Sequence, residues 1–289
     1  MASDAYDWQF TDDLEEFLDR AGEFLWSEPA LHTVQLTVTD RLRTDGPASF
    51  GEEAPYFGRL VDGNGAVRAT VFRTPPYPLN LTPLTEGAAE ALAARLAEDG
   101  RAVPSVMGPA DAVAAFITAW ARRTGAPARL GMRQRLYRLG TLTPPDPAPS
   151  GRARVAAVDD HELVARWYAG FCADVGETVQ DPDRWAEGRL AHGGVTLWEL
   201  PDGTPVSMAS VTPEVAGQVR VATVYTPAPL RGRGYAGAAT AAVSRAALDA
   251  GAKEVLLFTD LANPTSNGLY QRLGYRPVAD FAVYEFGDV

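Results

Sequence analysis

The chain has 289 residues, 46% hydrophobic and 22% charged, a balance that excludes collagen-like, disordered and coiled-coil proteins and suits about two folded domains. Its 37 acidic residues outweigh 26 basic ones, for a net charge of −11, which disfavours broad nucleic-acid binding, because that rests on Lys and Arg neutralising phosphates. Apolar stretches fall short of the ~18 residues that a membrane span needs, and a single cysteine, Cys172, excludes an internal disulfide. Met1 to Phe10 holds two Asp and no Lys or Arg, unlike the basic region of a secretory signal, so a cytoplasmic protein without membrane partners is expected.

In chain order, Phe10, Leu14, Phe17, Leu18 and Phe24 recur at helical spacing, with Thr11 as the expected N-cap. An apolar run follows from Leu31 to Leu42. Tyr56 to Val61 and Ala66 to Phe72 read as strands joined by the turn Asp62-Gly63-Asn64-Gly65. Ala88 to Ala97 reads as a helix, Val103 to Met107 as a short strand, and Asp111 is expected to cap a helix through Trp120 that ends near Gly125. Arg133 to Leu139 reads as a strand. Trp8, Trp26 and Trp120 are expected in the core.

Thr141 to Gly151 contains Pro144, Pro145, Pro147 and Pro149 and reads as a semi-rigid linker with little to pack. It divides the chain into 1–140, the linker 141–151, and 152–289. The second half reads as a strand over Arg154 to Val158, a helix over Asp160 to Cys172 with Trp167 and Tyr168, and strands over Val195 to Leu200, Pro205 to Val211 and Gln218 to Tyr225. An Ala-rich helix from Tyr235 to Ala250 follows. Next come a strand over Val255 to Asp260, a helix over Ser266 to Leu273 stopped by Gly274, and a strand region over Val278 to Phe286. Both halves share the order hairpin, Ala-rich helix, strand, helix, strand, which points to an α/β or α+β tandem duplication.

The residues that carry chemistry begin at Val224-Tyr225-Thr226, where a strand ends. A proline turn leads into Arg231-Gly232-Arg233-Gly234-Tyr235-Ala236, which opens the Ala-rich helix. Amides at a helix N-terminus lack internal partners and point outward with a positive dipole. Gly232 and Gly234 have no side chains to hinder approach, and Arg231 and Arg233 add charge, so the loop suits a phosphate or pyrophosphate. No Gly-Lys-Ser/Thr follows, so it is not a P-loop, and an Arg in the tight turn departs from the dinucleotide fingerprint. Further on, Asn263 suits a helix cap and Pro264 its first position, which places Asn263, Asn267 and Tyr270 on one helical face.

Together these two motifs resemble the GNAT superfamily of acyl-CoA-dependent N-acyltransferases. Arg231, Gly234 and Ala236 meet the pattern Gln/Arg-x-x-Gly-x-Gly/Ala, and Asn263 through Tyr275 is similar to the family's second region. The resemblance spans roughly residues 152–289, and the first half resembles a degenerate GNAT domain. It implies two GNAT-like modules, each a mixed, mainly antiparallel sheet flanked by helices. It also implies acetyl-CoA as acyl donor, a small-molecule amine acceptor and no metal. Val224, Tyr225 and Thr226 would meet the pantetheine arm, and residues from Arg231 to Ala236, namely Gly232, Arg233, Gly234 and Tyr235 with the two ends, would hold the pyrophosphate. Asn263 and Asn267 would lie at the cofactor, and Tyr270 would face the sulfur.

The implied reaction is direct attack of a neutral amine on the thioester, with a backbone N–H of Val224 or Tyr225 at the oxyanion and Tyr270 at the departing thiolate. No carboxylate lies within Gln218 to Tyr225, so the base stays open among Glu214, Asp174, Glu177, His161, His192 and water. Cys172 reads as a structural thiol. Trp167, Tyr168 and Phe171 with the following carboxylates are expected to wall the acceptor. A mycothiol-type acetyltransferase, an aminoacyl-tRNA-dependent transferase and a non-catalytic acyl-CoA sensor are the competing readings. The first half lacks the glycine loop and carries Arg73 to Pro78 instead, where proline removes amides.

Overall fold

The computed structural model describes residues 7–176, 179 and 181–287. Contacts group the chain into two units. The first holds residues up to Arg135, Asp260–Ala262, and Val278 onward; the second holds Leu136–Thr259 and Asn263–Pro277. The proline-rich segment 141–151 therefore counts with the second unit. The final strand, which the sequence reading placed in the second half, has its contacts from Val278 onward in the first.

In the first unit, β1 (Asp7–Thr11) precedes α1 (Leu14–Ser27) and α2 (Thr33–Asp45). There follow β2 (Tyr56–Val61), β3 (Val67–Arg73), β4 (Leu79–Leu81), α3 (Glu86–Glu98), β5 (Ser105–Pro109), α4 (Ala110–Thr124) and β6 (Ala128–Leu139). The strands β1 to β4 pair antiparallel in sequence order, β4 and β5 pair parallel, and residues 281–285 of the C-terminal strand pair antiparallel with β5.

Local chemistry explains where the first-half expectations need correction. Thr11 is not the cap of α1. Asp13 is, accepting from the N–H groups of Glu15 and Glu16, while Thr11 ends a strand and bonds Glu16. Asp111 lies in the first turn of α4 behind Pro109, and no side chain caps that helix. Phe17, Ala21 and Leu25 form the buried stripe of α1, which leaves Trp26 63% exposed rather than in the core. Trp8 and Trp120 are buried as expected, with Trp8 Nε1 donating to Ala88 O at 3.0 Å. Strand β4 is three residues long and sits among prolines, too short for any periodicity to register.

In the second unit, β7 (Arg152–Val155) precedes α5 (His161–Val175), α6 (Pro182–Ala191), β8 (Val195–Glu199), β9 (Pro205–Val211) and β10 (Gln218–Tyr225). Then come α7 (Tyr235–Asp249), β11 (Glu254–Asp260), α8 (Pro264–Arg272) and the start of β12 (Tyr275–Phe286), whose residues from Val278 on count with the first unit. Strands β7, β8, β9 and β10 pair antiparallel in order, and β10 pairs parallel with β11. Each unit thus repeats a parallel strand–helix–strand step, β4-α3-β5 and β10-α7-β11. Small residues on α7, among them Gly237, Ala238, Ala239 and Ala241, are buried and allow close approach to the sheet.

Helix α6 has no counterpart in the sequence reading, although Asp181 caps it and Pro182 opens it. The linker packs more than its composition suggests. Thr143 N–H donates to Leu273 O at 2.9 Å, Gly140 N–H to Gly274 O at 3.0 Å, and Trp198 Nε1 to Ser150 O at 3.1 Å. Among the described residues, no helix is long and apolar enough to cross a membrane.

Candidate active site

Strand β10 carries an irregularity that shapes the site. On its β9 side, Val221 faces Val211 while Val224 faces Ala209, so three steps on β10 match two on β9. This is a β-bulge, which bends the strand and re-aims its side chains. On the β11 side the register runs from Gln218 opposite Glu254 to Val221 opposite Leu257 and ends there. The two strands pair at one end and part beyond Val221, so the edge of β10 from Ala222 to Tyr225 is outside the parallel ladder. An extended chain with alternating amides is the natural occupant of such an edge. Val224 and Tyr225 are half-buried there, and Thr226 is buried. Ser207 Oγ fixes the strand end, donating to Tyr225 O at 3.0 Å and lying 2.8 Å from Thr226 Oγ1.

The loop after β10 enters α7 through Gly234, the N-cap, at φ 83° with no capping side chain. Gly232 has φ 76°. Both positions need glycine for their left-handed backbone rather than for space, since an added side chain at Gly232 would meet nothing. The N–H groups from Gly232 to Ala236 pair with no described residue, and 231–234 are exposed. This is an open cluster of donors at the positive end of a helix. In the first unit the equivalent helix start is closed, because the Thr85 side chain accepts from Ala88 N–H at 3.2 Å.

Arg231 does not extend freely from the loop. Its guanidinium pairs with Asp174 at the end of α5, Nε donates to Thr226 O at 2.9 Å, and it lies 5.9 Å from the Tyr225 ring. Arg233 reaches back to Pro229 O at 3.2 Å. The Tyr225 phenol in turn packs on α5 at Gly170, where a side chain would lie 2.6 Å from its oxygen.

On α8, Asn263 is the N-cap, accepting from Ser266 N–H at 3.0 Å. Asn267 accepts from Tyr137 Oη at 3.0 Å and donates to Asn263 O at 2.8 Å, while Gln271 donates to Tyr137 Oη at 3.0 Å. Tyr270 is buried and meets Tyr275 edge-on, with centroids 6.1 Å apart. Its hydroxyl bonds no described residue, whereas Tyr275 Oη lies 2.7 Å from Ser244 Oγ. Burial pushes the Tyr270 phenol up to about 12, so it is a neutral donor throughout the physiological range.

The candidate bases and acceptor walls sort by contact. Asp174 is tied to Arg231. His161 lies 3.3 Å from Asp183 O, and His192 lies 2.8 Å from Gly188 O and 3.3 Å from Val211 O, which links helix and strand ends. Glu177 lies outside the described residues. Cys172 and Trp167 are buried. Tyr168 stacks face to face on Trp185 of α6, with centroids 4.2 Å apart. Sequence reasoning missed Trp185, Gly170 and the Asp174–Arg231 pair; only the Asp181-Pro182 start of α6 left a local signal.

The model of the Acetyltransferase (GNAT) family matches residues 161–275. No curated protein matches. Among solved structures, a GCN5-related N-acetyltransferase from Sphaerobacter thermophilus is 17% identical with a TM-score of 0.64, covering 98% of this chain and 96% of its own. A GNAT-family acetyltransferase from Colwellia psychrerythraea is 10% identical with a TM-score of 0.59, over 97% and 100%. A tandem GNAT protein from the clavulanic acid biosynthesis pathway is 12% identical with a TM-score of 0.57, over 98% and 100%. Residues 161–275 thus match the acetyltransferase (GNAT) family, within a chain whose fold is that of tandem GNAT proteins.

Proposed function

We propose that this protein is an N-acetyltransferase that moves the acetyl group of acetyl-CoA to the amine of a small molecule, using one cofactor site, in the second unit. The observation that carries this reading is the parting of β10 from β11 after Val221 beside the open amides of Gly232 to Ala236. A pantetheine arm has amides for the first feature, and a pyrophosphate has the charge for the second. The first unit, with Thr85 closing its helix start, serves as a degenerate supporting module.

In this reading the edge of β10 from Val224 to Thr226 receives the arm, and Arg231, Arg233, Gly234 and Tyr235 hold the pyrophosphate with Gly232 and Ala236. Asn263 and Asn267 shape the start of α8 beside the cofactor. The acceptor nitrogen attacks the thioester carbon, and an N–H of Val224 or Tyr225 steadies the oxyanion. The C–S bond then breaks, the thiolate takes a proton, and the nitrogen gives one up to solvent or to the acceptor's own path.

In this reading Tyr270 donates to that sulfur. With its phenol near 12 against a thiol near ~8.5, full proton transfer is uphill by about 5 kcal/mol, so Tyr270 stabilises the thiolate by a hydrogen bond. No carboxylate lies on β10, so the amine reaches its neutral form through water.

The test is an amine-library screen with acetyl-CoA that reads free thiol and product mass together. Acceptor-dependent thiol release with an acetamide product is expected. Acyl-CoA binding with no turnover on any amine would favour the sensor reading instead.

A further inference from the structure

The segment between the two halves is docked at both ends on the second unit. At its start, Gly140 and Thr143 bond to the carbonyls of Gly274 and Leu273. The docking is tight: a side chain at Gly274 would lie 1.9 Å from Thr141 O. At its end, Ser150 O accepts from Trp198 Nε1, and a side chain at Gly151 would lie 2.2 Å from Glu199 O. Between these anchors the chain passes the start of α7. The side-chain direction of Gly234 points to the Pro149 ring at 3.8 Å, and that of Gly237 to Pro145 Cγ at 3.5 Å and Leu269 Cδ1 at 3.0 Å.

The same Gly234 opens the cluster of unpaired amides, so the proline strap stands beside the anion site. Proline rings have fixed φ and no N–H, which makes them a stiff apolar surface that does not compete for the phosphate acceptors. We propose that Pro145 and Pro149 form a wall of the cofactor site, against which the nucleotide end of acyl-CoA packs, and that they act as positioning residues for that end. The inference rests on the acyl-CoA reading above and names a part of the site outside both motifs. A wall on this side discriminates donors that carry the adenosine diphosphate from donors that stop at phosphopantetheine.

The experiment compares the whole wild-type chain with Pro145→Gly/Pro149→Gly by calorimetry. The two probes are acetyl-CoA and S-acetyl-4′-phosphopantetheine, and thermal unfolding is run in parallel. The expected result is acetyl-CoA affinity weakened about fivefold in the variant, on the scale that loosening two prolines allows, with phosphopantetheine affinity unchanged. Unchanged or tighter acetyl-CoA binding would overturn the proposal, as would equal weakening of both probes. If the wild-type chain binds neither probe, the acyl-CoA reading falls and this inference with it. Wild-type binding with an indifferent variant removes the strap alone.

Discussion

Arg231 on the glycine loop and Asp174 at the end of α5 are paired across a sequence separation of 57 residues, and Arg231 Nε holds Thr226 O at 2.9 Å. The loop is thus fixed to the end of β10 by one bond and to α5 by another. Both side chains of the pair are nearly half exposed, so the pair itself adds at most about 1 kcal/mol to stability. With an anion on the loop, as proposed, its larger effect would be electrostatic, because Asp174 would compete with that anion for the guanidinium. Asp174→Asn should leave the melting temperature almost unchanged and tighten acetyl-CoA binding by about threefold at low salt, with the gain shrinking as salt screens the site. Titrations at two ionic strengths check this. The variant should also keep its kcat, and a large loss would instead mark Asp174 as the base.

Tyr270→Phe should retain cofactor affinity while lowering turnover. Removing one hydrogen bond to a charged group costs about 1.5–3 kcal/mol, or roughly 10- to 150-fold in a chemistry-limited step. Single-turnover kinetics with saturating acetyl-CoA would read this directly. The remaining activity should show no ionisation attributable to residue 270 at neutral pH, and neither should the wild type, since the buried phenol stays neutral.

The same burial links stability to alkaline pH. The folded-state phenol of Tyr270 titrates near 12 and that of Tyr275 is also raised, both by desolvation, against an ordinary value of 10.0. The folded state therefore holds these protons longer than the unfolded chain does. Stability from this source is whole below pH 10 and falls as pH rises from 10 toward 12, by roughly 3 kcal/mol for Tyr270. Denaturant titrations between pH 9 and pH ~11.5 should show that slope, and it should be shallower in Tyr270→Phe.

Gly274→Ala should be strongly destabilising, although it changes one methyl group. The residue has φ 101°, and the new carbon would lie 1.9 Å from Thr141 O, a backbone atom with no free end to swing away. A left-handed strain of about 1–2 kcal/mol plus the overpacking gives roughly 2–4 kcal/mol in chemical unfolding. Gly232→Ala meets no atom and should show the backbone strain alone.

The legible part of this molecule was its local part. Strands β2, β9 and β10 fall where alternation and bounding turns placed them, and α7 starts at Tyr235 because Gly234 breaks what precedes it. The glycine loop could be read for the same reason, since its donors come from consecutive residues. What stayed hidden depends on partners distant in sequence. Nothing near residue 278 says that the last strand joins β5, and nothing near Pro149 says that it rests on Gly234. Trp26, expected in the core, faces out because the buried stripe of α1 runs through Phe17, Ala21 and Leu25, and the neighbour of Leu25 on a helix points away from that stripe. The bulge at Val221 to Val224 is a pairing property, invisible in one strand's sequence.

The most direct test is calorimetric titration of acetyl-CoA into the whole chain and into Gly234→Trp, with circular dichroism to establish that the variant is folded. The account predicts one site per chain in the wild type and none in the folded variant, because a large side chain at the N-cap blocks the amides of Gly232 to Ala236. Two equivalent sites, or undiminished binding by the variant, would contradict it.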